Sequence, residues 1–113
     1  MKRHTVLLTE DAQADLQELV DYIAVYDAPA KADAVLDKLE AVVASLSNFP
    51  GRGAVTKELR DVGIRDYREV YFKPYRVIYR VIYRVMDGKV VVYLMVDGRR
   101  DMQTLLTQRL VRA

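Results

Sequence analysis

The residues of this sequence that are best suited to chemistry are arginines and tyrosines in its second half. The basic residues are Arg60, Arg65, Arg68, Lys73, Arg76, Arg80, Arg84, Arg99 and Arg100, and the tyrosines between them are Tyr67, Tyr71, Tyr75, Tyr79, Tyr83 and Tyr93. Guanidinium groups bind phosphates or carboxylates, and tyrosine rings stack on bases, so the set suits a nucleic acid or an acidic peptide. Arginine stems that cover the apolar surface of a strand explain Arg76, Arg80 and Arg84 equally well.

Arg99 and Arg100 differ from the others because they are adjacent in a predicted turn between a strand and a helix. Such a turn has no packing need for two neighbouring cations. We therefore expect these two side chains to bind a partner.

Few residues are suited to acid–base catalysis or metal binding. The chain has one histidine, His4, and no cysteine, and the common zinc-protease, phosphate-loop and dinucleotide-binding motifs are missing from the sequence. His4 is expected to be a solvated side chain. The carboxylate pairs Asp11/Asp15 and Glu18/Asp21 are expected to form the solvated face of a helix. The sequence predicts no catalytic residue, no metal and no cofactor.

Length and composition predict a single domain over residues 1–113. The chain is 51% hydrophobic and 30% charged, and it lacks both a run of about 20 apolar residues and a signal peptide. We therefore expect a soluble, cytoplasmic protein with no membrane partner. Residues 1–50 hold 4 basic and 9 acidic side chains, whereas residues 51–113 hold 14 basic and 7 acidic ones. The small net charge of +2 thus hides an acidic half and a basic half.

The first half predicts a short strand and two helices. Residues 2–8 are the strand candidate, and Thr9 is placed to cap the following helix. Helical spacing of apolar residues continues through Ala12, Leu16, Leu19, Val20, Ile23 and Tyr26. Pro29 begins a second helix because proline is tolerated only in a first helical turn. The apolar stripe of that helix is Ala32, Val35, Leu36, Leu39, Val42, Val43 and Leu46.

The second half changes to the alternating pattern of β-strands. The predicted strands are residues 64–72, 75–85 and 89–96, with Asp87-Gly88 as a hairpin turn. Asp101 is placed to cap a last helix. This order predicts an α+β fold in which an N-terminal strand and an α-helical hairpin pack on a twisted antiparallel sheet, with a short C-terminal helix.

One strand contains a repeat, because residues 77–80 and 81–84 are both Val-Ile-Tyr-Arg. Side chains alternate along a strand, so a four-residue duplication keeps every residue on its original face. The run 75–86 has 12 residues and its hairpin partner 89–97 has 9. We predict that part of the longer strand overhangs, bulges or pairs elsewhere. A slipped or engineered duplication explains the extra residues, and a natural long strand is the alternative.

Six short segments occur in a specific order along the chain. They are VLLTEDA (6–12), FPGRG (49–53), ELR (58–60), IRDYRE (64–69), KPYRVIYR (73–80) and VDGRRD (96–101). In this order they resemble the RelE/ParE superfamily of type II toxin–antitoxin toxins, and most closely its ParE branch. The second Val-Ile-Tyr-Arg segment departs from the family pattern.

The resemblance to ParE implies a non-enzymatic inhibitor of DNA gyrase that is neutralised by a cognate antitoxin. It implies target contacts at Arg99, Arg100 and the last helix with Arg109. For antitoxin docking we expect the helical hairpin and the apolar grooves of the sheet, including Leu16, Leu19, Val42 and Leu46 where they reach the surface.

The resemblance to RelE implies a ribosome-dependent mRNA endoribonuclease as the alternative. The phosphate contacts would then be Arg60, Arg65, Arg80 and Arg84. RNA cleavage needs a proton acceptor, and no aromatic residue follows Tyr93 and no histidine follows His4, so the sequence favours the gyrase inhibitor. An inactive relative is a third possibility. A homodimer through an edge strand and a toxin–antitoxin hetero-oligomer are the expected assemblies.

Overall fold

A computed structural model describes residues 3–26, 28–73 and 78–112. The elements are β1 (Thr5–Leu8), α1 (Glu10–Tyr26), α2 (Pro29–Asn48), β2 (Ala54–Val55), α3 (Lys57–Arg60), β3 (Tyr67–Phe72), β4 (Tyr79–Met86), β5 (Lys89–Asp97) and α4 (Met102–Arg112). Across these ranges, no helix combines the length and the apolar content that a membrane crossing requires.

The strands form one five-stranded sheet in the order β1-β5-β4-β3-β2. All neighbours are antiparallel except β1 and β5, which are parallel with Thr5 opposite Lys89. The predicted α+β fold is confirmed. The sequence pattern did not predict the parallel pair. Parallel strands need a crossover connection, and the segment between β1 and β5, which begins with α1 and α2, provides it.

Helices cover both faces of the sheet. On one face, α1 and α2 pack through Leu19, Ile23, Val35, Leu39 and Leu46. On the other face, α3 and α4 pack through Leu59, Met102, Leu105 and Leu106. In β4, Val81 and Tyr83 belong to the first cluster and Ile82 to the second. The described part of β4 therefore has the predicted alternation of faces.

Local signals in the sequence mark several element boundaries correctly. Thr9 Oγ1 accepts the Ala12 N–H (3.1 Å) at the start of α1, and Pro29 lies in the first turn of α2. Asp87 and Gly88 have φ values of 52° and 71°, as the two central residues of a type I′ hairpin turn require.

The predicted strand 64–72 begins three residues later than expected, at Tyr67. The reason is the end of α3, a helix that the sequence pattern did not predict. The N–H of Ile64 donates to Leu59 O (2.9 Å), and the N–H of Gly63 donates to Arg60 O (2.9 Å). Gly63 has a φ of 87°, so these residues close α3 as a Schellman motif and are not available to the sheet.

The pairing of β4 with β5 contains a β-bulge. Ile82 lies opposite Leu94 and Tyr83 lies opposite Val92, so Tyr93 is an extra residue in β5. The eight residues of β4 therefore match all nine of β5. The rest of the predicted overhang, residues 75–77, lies outside the described residues. β4 itself lies between β3 and β5, so its described residues are not an edge for pairing with a second copy.

Candidate functional site

The turn between β5 and α4 holds Arg99 in a fixed position. Its backbone N–H donates to Asp97 Oδ1 (2.8 Å), and its Nη2 donates to Asp97 Oδ2 (2.7 Å). These hydrogen bonds hold the pKa of the Asp97 carboxyl below its usual value. The Arg99 side chain is nevertheless 77% exposed. The turn thus presents a preorganised guanidinium at the surface.

Gly98 allows this turn to approach β4 closely. Its N–H donates to Ile78 O (2.8 Å). A Cβ at position 98 would lie 3.1 Å from the same oxygen and 3.4 Å from Arg80 Cγ. A side chain at position 98 would therefore require these neighbours to move by a few tenths of an ångström.

Arg100 is also exposed, but its side chain has a different environment. Its backbone N–H donates to Asp97 O (3.1 Å), and its side chain lines a cleft of about 230 Å³. Within the part of the chain that the structure describes, the Arg100 guanidinium makes no ion pair. One cation of the predicted pair is bound to a carboxylate, and the other is available to a partner.

Arg109, the third predicted target contact, lies in a buried ion pair. Its Nη2 donates to Asp15 Oδ1 (2.7 Å), and its Nη1 donates to Asp15 Oδ2 (3.0 Å) and to Tyr93 O (3.1 Å). The side chain is 14% exposed, and the hydrogen bonds to Asp15 raise its pKa. These contacts join α4 to α1 and leave the Arg109 guanidinium little access to a target.

Asp15 is buried, so the expectation that it lies on the solvated face of α1 is wrong. Its side chain is 7% exposed, and its Oδ2 also accepts the Met95 N–H (3.1 Å). β1 ends at Leu8, opposite Val92, so Met95 lies beyond the last residue that β1 pairs. Asp15 is buried because it supplies the acceptor that a neighbouring strand would otherwise provide.

Arg80 is the centre of a second ion-pair cluster, with Glu58 and Glu69. Its Nη1 and Nη2 donate to the two Glu58 oxygens (2.8 and 2.7 Å), and its Nε donates to Glu69 Oε2 (3.2 Å). Nη2 also donates to Glu69 Oε1. The hydrogen bond from Arg80 lowers the pKa of Glu58, and the two carboxylates raise the pKa of Arg80. The two carboxylates neutralise the Arg80 guanidinium, which the sequence predicted as a phosphate contact.

The other predicted phosphate contacts have three different environments. The Arg84 guanidinium lies 5.8 Å from the centre of the Tyr67 ring, as in a cation–π pair. Arg60 lies 3.9 Å from Asp61 (Nε to Oδ1) and is exposed. Arg65 is exposed between α3 and β3.

A groove of about 570 Å³ lies beside the Arg80 cluster and the β5–α4 turn. Its polar lining residues are Lys57, Glu58, Glu69, Tyr71, Arg80 and Arg99. A hydrogen bond to Glu69 raises the pKa of Tyr71, so its hydroxyl stays protonated at neutral pH. The groove brings Arg80 and Arg99 together, but both guanidinium groups are bound to carboxylates.

The residues predicted for antitoxin docking divide into two groups. Leu19 and Leu46 are core residues with 5% and 0% exposure, which removes them from any docking surface of this structure. Leu16 and Val42 are partly buried against the core. Leu16 reaches an apolar cleft of about 290 Å³, which is also lined by Leu8, Leu36, Leu39, Val43 and Met95.

An exposed aromatic pair at the end of α1 lies outside the predicted site residues. Tyr22 and Tyr26 are 60% and 75% exposed, with ring centroids 4.8 Å apart. The expectation that Tyr26 belongs to the buried stripe is wrong, because Ile23 is the residue of this turn that packs in the core. The sequence does contain a signal for this exposed pair. The last five residues of α1 include Tyr22, Val25 and Tyr26 as well as Ile23, and one face of a helix cannot bury all four side chains.

Comparisons with known proteins agree with this fold. Residues 6–102 match the family model described as the ParE toxin of the type II toxin–antitoxin system parDE. A chain of the chromosomal ParDE toxin–antitoxin system from P. aeruginosa superimposes with a TM-score of 0.67 at 18% identity, covering 86% of this chain and 98% of that chain. A mutant of the E. coli toxin RelE in the free state gives a TM-score of 0.64 at 14% identity, covering 97% of each chain. No curated protein matches the sequence.

Proposed function

The chain belongs to the ParE toxin family of type II toxin–antitoxin systems, and we propose that it inhibits DNA gyrase by binding and does not catalyse RNA cleavage. The structural likeness to both ParDE and RelE supports the fold of the RelE/ParE superfamily. The choice between the two activities depends on the charged groups of the chain.

The ion pairs of Arg80 and Arg109 are the observation that supports inhibition by binding. Arg80 makes four hydrogen bonds to Glu58 and Glu69, and Arg109 is bound to Asp15. A nuclease needs guanidinium donors that are free to meet the developing charge on a phosphate. In Arg80, the predicted phosphate contact that lines the groove, these donors are already bound to Glu58 and Glu69.

Two acid–base groups that line the groove, Glu58 and Tyr71, are poor proton acceptors. Arg80 lowers the pKa of Glu58, and a carboxylate with a lowered pKa is a weak general base at neutral pH. Tyr71 has a raised pKa and remains protonated. Glu58 and Tyr71 are therefore poorly suited to accept a proton from a ribose 2′-hydroxyl.

The β5–α4 turn supports a binding role, since it presents Arg99 and Arg100 together on an exposed surface. Asp97 fixes the orientation of Arg99, so little side-chain freedom is lost when a partner binds there. We assign the target contact to this turn.

We place the antitoxin on the helical hairpin. The apolar cleft lined by Leu16, Leu36 and Val43 is open at the surface between α1 and α2, and it can receive apolar side chains of a docked segment. The similarity to a chain of the ParDE system supports an antitoxin partner. A toxin–antitoxin hetero-oligomer is the assembly that we propose in the cell, and the cytoplasm is its proposed location.

The test is a direct comparison of the two activities. Purified protein is added to gyrase with relaxed plasmid and, separately, to ribosomes programmed with an mRNA. We expect inhibition of supercoiling and accumulation of cleaved DNA, with intact mRNA. A clean cut in the ribosomal mRNA without an effect on gyrase would assign the chain to the RelE type of activity, and inactivity in both assays would make it an inactive relative.

A further inference from the structure

We propose that Tyr22, Tyr26 and Arg100 form one protein-binding surface, here called the aromatic surface, through which the chain contacts a gyrase subunit. This inference rests on the proposed function and adds the residues and the chemistry of the contact. The matching segment on the partner presents a carboxylate for Arg100 beside an apolar side chain for the two tyrosines.

The side chains of Tyr22 and Tyr26 are mostly exposed to solvent. Tyr22 and Tyr26 are one helical turn apart with ring centroids separated by 4.8 Å, and Val25 between them is also exposed. Exposed apolar side chains that adjoin one another, unlike single scattered ones, favour an interaction site. Tyrosine and arginine are the residue types that most often dominate the energy of a protein interface.

The cleft of about 230 Å³ connects Tyr22 to the β5–α4 turn, and Tyr26 adjoins it through its ring contact with Tyr22. Tyr22 and Tyr79 line it together with Asp97 and Arg100. Arg99 is bound to Asp97, whereas Arg100 makes no ion pair within the described residues. Arg100 is therefore the cation of this turn that can bind a carboxylate of a partner without first breaking an internal contact.

The charges around the cleft favour a protein over DNA or RNA. Asp15, Glu18 and Asp97 line it together with Arg100. Because Asp15 and Asp97 are paired with Arg109 and Arg99, Glu18 balances Arg100 and the cleft offers no excess of positive charge to a phosphate backbone. Nucleic-acid surfaces gain most of their affinity from unpaired cations that displace counterions. Mixed charges beside two exposed tyrosines instead match the composition of a protein interface.

The test uses two variants and two matched controls. The variants are Tyr22→Ala/Tyr26→Ala and Arg100→Glu. The controls are Phe49→Ala, which removes another exposed aromatic ring, and Lys89→Glu, which reverses a charge at the opposite end of β5. Binding to purified gyrase without DNA is measured by surface plasmon resonance, and supercoiling inhibition is measured in parallel. Circular dichroism checks that each variant is folded.

We expect each variant to bind gyrase at least about tenfold more weakly, as hot-spot truncation does, with both controls within about twofold of the unaltered protein. If the unaltered protein inhibits gyrase and both variants do so equally well, the aromatic surface is wrong while the proposed function stands. If the unaltered protein leaves gyrase unaffected, both are wrong. A loss of binding to the cognate antitoxin or to duplex DNA, with gyrase binding retained, would overturn the assignment of gyrase as the occupant.

Discussion

The guanidinium of Arg109 and the carboxylate of Asp15 lie in contact at the side of β5, joining the last helix to the first through two hydrogen bonds of 3.0 and 2.7 Å. The same two side chains also bind the backbone of β5. Asp15 accepts the Met95 N–H, and Arg109 donates to the Tyr93 carbonyl at the β-bulge. The pair therefore compensates for the early end of β1.

Replacing Arg109 with methionine should lower the free energy of unfolding by about 3–5 kcal/mol, because it leaves the buried Asp15 carboxylate without its partner. The measurement is urea denaturation followed by circular dichroism. The exposed Arg100→Met is the control and should change stability by less than about 0.5 kcal/mol. Asp15→Leu/Arg109→Met should be more stable than the single Arg109 variant, and a double variant that is as unstable as the sum of the singles would contradict coupling of the pair.

Gly53 and Gly51 offer a matched test of close packing in the turn before β2. A Cβ at Gly53 would lie 2.6 Å from both Glu69 O and the Tyr83 hydroxyl, whereas a Cβ at Gly51 meets nothing within 4 Å. Gly53→Ala should therefore cost about 2 kcal/mol or more, in the range of overpacked sites. Gly51→Ala should be near neutral. Equal melting temperatures for the two variants would show that the turn tolerates a side chain.

Tyr83 contributes a buried hydroxyl to the same turn. It donates to Pro50 O (2.7 Å) and accepts the Gly53 N–H (3.0 Å). Tyr83→Phe should lower the free energy of unfolding by about 1–3 kcal/mol, because both backbone groups lose a partner. The exposed Tyr26→Phe is the control, and an equal effect of the two changes on urea denaturation would disprove the role of the hydroxyl.

The Glu58–Arg80 contact predicts a specific pH dependence of stability. The pKa of Glu58 is lowered in the folded state from an ordinary value of 4.5, so the ionised carboxylate stabilises the fold above that pH. The contribution is lost as the pH falls through the lowered pKa. Glu58→Gln should therefore be less stable than the unaltered chain at pH 7 by about 1–2 kcal/mol, and the difference should shrink below about pH 4. Asp37→Asn, an exposed carboxylate on α2, serves as the control. A constant difference across the pH range would argue against this pair.

Charge reversal of both arginines in the β5–α4 turn tests the proposed target contact. Arg99→Glu/Arg100→Glu should abolish toxicity in cells, because it replaces both exposed cations by anions, while Asp101 still caps α4 through the Thr104 N–H. Growth after induction and melting temperature are measured together. Retained toxicity with an unchanged melting temperature would place the target contact elsewhere.

The parts of the fold that the sequence predicted correctly depend on local chemistry. The Thr9 cap, Pro29 at the start of α2 and the Asp87-Gly88 turn each need only residues within one turn of the chain. The parallel pairing of β1 with β5 and the Schellman end of α3 were missed. The first joins distant residues, and the second falls in a segment whose alternation resembles a strand.

The candidate site was predictable only in part for the same reason. Adjacent cations in a strand-to-helix turn are a local signal, and Arg99 and Arg100 do lie together in an exposed turn. The partners of Arg80 and Arg109 come from other elements, so the sequence could not distinguish a free guanidinium from a neutralised one. Burial of Asp15 likewise depends on where β1 ends.

The parallel pairing of β1 with β5 also determines when the protein can assemble during its synthesis. Thr5 has no strand partner until Lys89 has been made, and the buried faces of α1 and α2 pack on strands that follow them in the chain. The nascent helical hairpin therefore leaves the ribosome without its sheet. Since strand pairing over a long sequence separation is slow, we expect this domain to fold as a unit only after β5 has been synthesised.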